Sequence, residues 1–266
     1  MMNKKSWIRL VIALSIATCL FQPRPARAYR PFDSTDADTA QPGTLELELG
    51  LAEFRHDETF SLATPHIIAN VGLASGLELV LEGSQMISLS RRAPGPTASS
   101  PEASHLHLER PEVSLKMLLL PGSLQEAGPR PSVALEAGIF LSLAGQNSGA
   151  QGTIIASERL PWFTLHANAS FMTTRRRTNR VDLGLVVEGP HYWPIRPVGE
   201  VTTSHGGSAA WPIRMLAGAI WRVRSTLSLD IAGVIDSDSL AYEIRLGLTW
   251  AIHIPGRQKT RQSMAK

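Results

Sequence analysis

The chain has 266 residues, with 26 Lys and Arg against 23 Asp and Glu, a formal charge of +3, and one cysteine. That charge is concentrated at the start: residues 1–28 carry five Lys and Arg and no acid, so the remainder holds 26 minus 5, or 21, bases against 23 acids. A body near −2 removes the electrostatic case for a nucleic-acid partner, and the lack of cysteine beyond Cys19 removes disulfides as a source of stability.

Met1 to Ala28 reads as a secretory signal peptide. Lys4, Lys5 and Arg9 form its positive region, Val11 to Phe21 its apolar core, and Ala26-Arg27-Ala28 a cleavage site with small residues where a signal peptidase inspects them. The apolar run is shorter than the roughly 20 residues of a spanning helix, and it ends at Pro23. Thr18 before Cys19 is a poor fit to a lipoprotein site.

Residues 29–43, YRPFDSTDADTAQPG, show no periodicity and are expected to be an extended periplasmic lead-in, with Asp33, Asp36 and Asp38 solvated or capping turns rather than holding calcium. Then comes TLELELGL, Thr44 to Leu51. Its leucines share one parity and Glu46, Glu48 and Gly50 the other, as in a strand with one apolar and one polar face. The same grammar recurs in LELVLEG, SVALEAGIFLSL, RVDLGLVVEG and YEIRLGLTWAI.

The signal peptide followed by Arg30-Pro31-Phe32, Thr35-Asp36-Ala37-Asp38, the Pro42-Gly43 turn and the first Leu-Glu strand resembles the opening of a bacterial family of outer-membrane transporters often labelled by the MetA pathway of phenol degradation. Ala69 to Leu79, ANVGLASGLEL, is similar to that family's turn between its second and third strands. The resemblance is strongest over Arg30 to Gly83. It implies an exported β-barrel carrying an undefined small-molecule cargo through a Gram-negative outer membrane, and it brings no catalytic or ligand-binding residues.

Alternation and chain breakers divide the rest into strands at 44–54, 60–70, 76–88, 105–119, 131–143, 152–160, 162–173, 180–189, 196–204, 211–222, 225–235 and 241–252. Twelve strands, short junctions on the side of the termini and longer ones opposite predict an all-β, up-and-down antiparallel transmembrane β-barrel over 44–254. Pro121 to Arg130 is too long for its side and could hide a miscounted hairpin. Trp162, Trp193, Trp211, Trp221 and Trp250 fall near strand ends, as interfacial girdles would place them. The tail, 255–266, is basic and polar and lacks the terminal aromatic residue that the barrel-assembly machinery commonly reads.

Charges cannot face hydrocarbon cheaply, so Glu46, Glu48, Glu78, Glu82, Glu109, Lys116, Glu136, Asp182, Glu188, Glu200, Arg214, Asp230, Glu243 and Arg245 are expected to line the lumen. Closure would bring Arg245 beside the first strand, toward Glu46 or Glu48. Such a set either forms a polar passage biased against anions or an ion-paired plug of a structural or surface-binding barrel. Arg175, Arg176 and Arg177, in an outward loop, could clasp lipopolysaccharide phosphates, with outer-membrane lipid as the surroundings. His166, Asn168 and Ser170 share a face and raise a lipolytic reading, which needs a serine beside His166 on an adjacent strand at the lipid face. His105 and His107 have no further ligand at zinc-site spacing. No cofactor, metal or catalytic set is expected.

Overall fold

The computed structural model describes residues 30–56, 60–89, 107–126, 128–141, 148–176, 178–206, 211–238 and 241–254. Twelve strands follow in order: β1 Thr44–His56, β2 Phe60–Ala74, β3 Leu77–Leu89, β4 His107–Leu120, β5 Ser132–Phe140, β6 Gly149–Arg159, β7 Thr164–Thr174, β8 Asn179–Glu188, β9 Ile195–His205, β10 Ile213–Arg224, β11 Leu227–Asp236 and β12 Tyr242–His253. Each pairs antiparallel with its neighbours, and β1 pairs with β12 from Thr44↔His253 to His56↔Tyr242, so the sheet closes on itself. With strands ~4.8 Å apart and tilted ~40°, twelve of them make a cylinder about 24 Å across at the backbone.

Parity decides which way each side chain points. In β12, Tyr242, Ile244, Leu246 and Trp250 are exposed on the outside, whereas Glu243, Arg245 and Thr249 are buried on the inside. The pattern holds around the cylinder: Ile154 is 60 % exposed and Ile235 59 %, while among the described residues 23 polar or charged ones are buried against 15 hydrophobic ones. A water-soluble β-sandwich, the other fold that alternating strands can build, buries its apolar faces between two sheets, and this inverted distribution excludes it. All five tryptophans expected at strand ends are exposed, from 44 % at Trp193 to 71 % at Trp162; four of them flank the end where β1 begins and β12 finishes.

The strand count stands, with boundaries moved by a few residues. β2 runs on to Ala74, so the β2–β3 turn is Ser75-Gly76, where Gly76 has φ 73°, and the β10–β11 turn is Ser225-Thr226 rather than Val223-Arg224. The long junction at Pro121 to Arg130 hides no hairpin. It folds back into the barrel mouth, where Ser123 and Leu124 are buried and Ser123 N donates to Arg130 O at 2.7 Å.

The segment before β1 overturns an expectation. Residues 30–43 are irregular, as predicted, but 30–40 run inside the barrel instead of trailing into the periplasm, with Arg30, Asp38 and Thr39 all under 9 % exposed, and Gln41 to Gly43 form an exposed turn into β1. The aperiodic lead-in is therefore part of the barrel's interior, and Asp38 is not solvated.

Candidate functional site: a strap inside the barrel

The barrel wall determines the course of residues 30–40, called here the strap. At its base, Gly43 N donates to Gly72 O, and Ala40 N donates to the buried Glu78 carboxylate of β3. Lys116 of β4 reaches Asp36 at 3.4 Å and Thr35 at 3.2 Å. Ala37 packs with Leu124, Ala134 of β5 and Ile155 of β6, and its N–H donates to Ser157 Oγ of β6 at 2.9 Å. Asn168 of β7 accepts from Thr35 N at 3.0 Å and donates to Thr35 O at 2.7 Å. Glu200 of β9 accepts from both Asp33 N and Ser34 N at 2.8 Å.

The strap ends among β10, β11, β12, β1 and β2. Asp33 takes Arg214 at 3.1 Å and Arg245 at 2.7 Å, while Arg245 also donates to Pro31 O at 2.6 Å. Phe32 packs on an apolar inner patch of Val198, Leu216, Ile220, Ala232 and Val234. Arg30 N donates to Glu48 Oε2 at 3.1 Å, its Nη1 meets His66 Nδ1 at 3.2 Å, and its Nε lies 3.8 Å from Asp230. With Gly184 of β8 against Ser34, the strap touches all twelve strands in turn. Its 11 residues can span at most ~36 Å, enough to run once across and along a bore of this width.

Two inward glycines make room where the backbone comes closest. A Cβ on Gly184 would stand 2.0 Å from Ser34 Oγ, and one on Gly72 would stand 2.0 Å from Gln41 O. Gly184→Leu is therefore expected to eject Asp33 to Thr35 from Glu200 at an overpacking cost of about 1–3 kcal/mol, read as a lowered thermal midpoint of the folded barrel. An unchanged midpoint would mean that the strap yields freely at this point.

The β4–β5 loop grips the strap from below. Gln125 Nε2 donates to Ala37 O at 3.3 Å and Asp38 Oδ1 at 3.0 Å, while its Oε1 accepts from Gly122 N at 3.2 Å and Ser132 Oγ at 2.7 Å. Both donors and both acceptor positions of one amide are thus used, which explains why a junction on the short-turn side is long.

Of the residues expected to line the lumen, Glu46, Glu48, Glu78, Lys116, Glu188, Glu200, Asp230, Glu243 and Arg245 are buried and inward; Glu82, Glu136, Asp182 and Arg214 are inward and partly exposed. The Glu109 side chain lies outside the described residues. Arg245 corrects one expectation, because the register sets it opposite Glu53 while Glu48 sits opposite Thr249, four rungs away. What Arg245 finds instead is Glu243 on its own strand at 2.7 Å and the strap. Arg175 and Arg176 are exposed beyond β7, and Arg177 lies outside the described residues.

His166 does have a serine on an adjacent strand, with Nδ1 2.8 Å from Ser157 Oγ and Nε2 3.3 Å from Glu188, which pairs in turn with Arg196 at 2.9 Å. The set faces the lumen, however, not the lipid. Ser157 is 1 % exposed and its oxygen already accepts from Ala37. The array holds the strap and offers no space for an ester. Sequence alone could not separate these roles, since adjacency on one face says nothing of what fills the space in front.

Between the strap and the inner wall lies a cavity of about 680 Å³, lined by strap residues from Arg30 to Ala40 as well as by the strands. Twelve carboxylates line it against five cationic side chains and His66. Glu82 and Glu112 sit directly opposite each other across β3 and β4, partnered by His66 at 3.0 Å and by Gln151 respectively. No cluster of three or more metal-ligating side chains occurs among the described residues.

A closed twelve-strand antiparallel cylinder, apolar outside and charged within, is the architecture of outer-membrane porin-like barrels. Solved structures place the chain in that fold. It is similar to an outer membrane channel from Pseudomonas putida F1 (9 % identity, TM-score 0.58, 83 % of this chain and 100 % of that one). It is similar too to the NanC porin (8 %, 0.56, 77 % and 98 %) and the KdgM porin (8 %, 0.55, 78 % and 99 %). No family model and no curated protein matches the sequence. At these identities the likeness extends to the fold alone.

Proposed function

We propose that the protein is an outer-membrane channel of a Gram-negative bacterium that passes small polar molecules, with the strap narrowing its bore and the acidic cavity favouring cations. The observation that carries this is the excess of twelve carboxylates over five cationic side chains around a cavity of about 680 Å³. In a confined polar passage such an excess raises the local concentration of cations and repels anions. KdgM has been solved in complex with disordered oligogalacturonate, an acidic sugar; a cargo of that charge does not suit this lining.

Reversal potentials of the refolded protein in planar bilayers under a KCl gradient test the reading. A potassium-over-chloride permeability ratio above about 3 is expected at low salt, falling as screening increases. Chloride preference would overturn it.

A second reading is favoured by the strap's contacts with every strand: a structural or surface-binding barrel whose lumen is permanently filled. It predicts silence from the intact protein across preparations and no current after small-solute addition at any voltage.

A further inference from the structure

Arg30 ends the strap's circuit, and the wall there is shaped around its guanidinium. Gly50 of β1 and Gly247 of β12 lie opposite each other beneath it. A Cβ on Gly50 would approach Nη1 to 2.7 Å, and one on Gly247 would approach Nε to 2.4 Å, so any side chain on this floor would expel the group. Asp230 of β11 stands beside it with 1 % of its side chain exposed, Oδ1 3.8 Å from Nε.

His66 supplies the next wall. Because an arginine only donates, His66 Nδ1 accepts from Nη1 at 3.2 Å, which leaves the hydrogen on Nε2 for Glu82 at 3.0 Å. Glu48 closes the rim by accepting the Arg30 backbone N–H at 3.1 Å. All these groups belong to the barrel, and none to the strap.

Elsewhere the strap is held by one wall group at a time, such as Ser157, Asn168, the buried carboxylates Glu78 and Glu200 or the inward Gly184. The Arg30 cradle is different. Two facing glycines weaken both strands, and a carboxylate almost out of water costs desolvation. At Arg30 the paired glycines, the buried carboxylate and the imidazole converge on a single cationic group, whereas Gly184, Glu78 and Glu200 each hold the strap alone.

The geometry points to a receptor for a guanidinium- or primary-ammonium-bearing solute, with Arg30 occupying it as an internal substitute for the solute's cationic end. Arg30, Glu48 and His66 also line the acidic cavity, so a solute collected there meets the cradle directly. A solute that takes Arg30's place frees the end of the strap, so differential binding to the two arrangements shifts the strap outward. The inference deepens the channel reading and rests on it for its biological sense, although the cradle's chemistry can be measured by binding alone.

The test uses refolded mature protein in detergent, with heat-modifiable gel mobility as the check on folding. Agmatine is titrated calorimetrically into wild type, Arg30→Gly and Arg30→Gly/Asp230→Asn at constant ionic strength, and tetramethylammonium serves as a cation without N–H donors. Agmatine is expected to bind Arg30→Gly about tenfold or more tighter than wild type, and the double variant should lose that gain. Equal binding to wild type and Arg30→Gly, binding that survives Asp230→Asn, or equal binding of tetramethylammonium would overturn the proposal.

A second measurement needs no vacant cradle. A Ser34→Cys substitution is the only thiol of the chain after residue 28, and agmatine should speed its labelling by a water-soluble maleimide several-fold. An unaltered rate would count against displacement of Arg30. Binding without ion current would retain the cradle and remove the channel; current without binding would do the reverse.

Discussion

Deleting residues 30–40 is expected to raise single-channel conductance roughly threefold to tenfold while leaving the barrel folded. The strap contributes no strand to the ladder, which is closed by β1 and β12 through Thr44↔His253 to His56↔Tyr242, so its loss opens no sheet edge. The carboxylates it now satisfies, Glu78 and Glu200 among them, would be hydrated by the water that replaces it. An extended peptide chain with its side chains is about 10 Å across, so it covers much of a bore lined by inward side chains. Planar-bilayer recording with heat-modifiable mobility as the folding control decides the matter. Unaltered conductance would show that the current path bypasses the strap, and an unfolded product would show that the strap is a core element rather than a removable filling.

Replacing Arg245 with Met is the substitution expected to cost most. Its guanidinium joins Glu243 at 2.7 Å, Asp33 at 2.7 Å and Pro31 O at 2.6 Å, and is itself buried. Removing one partner of a buried pair leaves the other charge uncompensated, worth about 3–5 kcal/mol. The lower end is expected here, because Arg214 still reaches Glu243 at 2.5 Å and Asp33 at 3.1 Å. The variant should melt at lower temperature and conduct like the strap deletion, since both holds on Asp33 and Pro31 are weakened together. Adding Asp33→Asn should recover part of the loss, because the carboxylate left behind is then neutral. Strictly additive losses in the double variant would mean that Arg245 and Asp33 are not energetically coupled.

Much of the cylinder was legible from residue order. Leu45, Leu47 and Leu49 against Glu46, Glu48 and Gly50 encode a two-faced strand within eight residues, and β3, β5, β8 and β12 repeat the code. The short junctions expected at Val71 to Ser75 and at Val223-Arg224 exist but fall at Ser75-Gly76 and Ser225-Thr226, since hairpin pairing is local while its exact register is set across the sheet. Inward placement of Glu78, Lys116, Glu243 and Arg245 followed from parity and the cost of charge in lipid. The inner apolar patch under Phe32 was less legible, because Leu216, Ile220 and Val234 read as interruptions of a polar face until the strap is seen to cover them. The tie from Ser157 and His166 to the strap was invisible for the same reason.

The residue order alone determined that the chain forms alternating strands, how many there are and which side chains share a face, since a period of two and a tight turn are properties of neighbours in the chain. Only the tertiary structure decided what fills the cylinder. Residues 30–40 have no periodicity of their own, and their path is written in Glu78, Ser157, Asn168, Glu200, Arg245 and Glu48, groups spread over some 200 residues that come together only when β12 meets β1. Side chains that distant acquire a common partner through closure, and no local pattern records it.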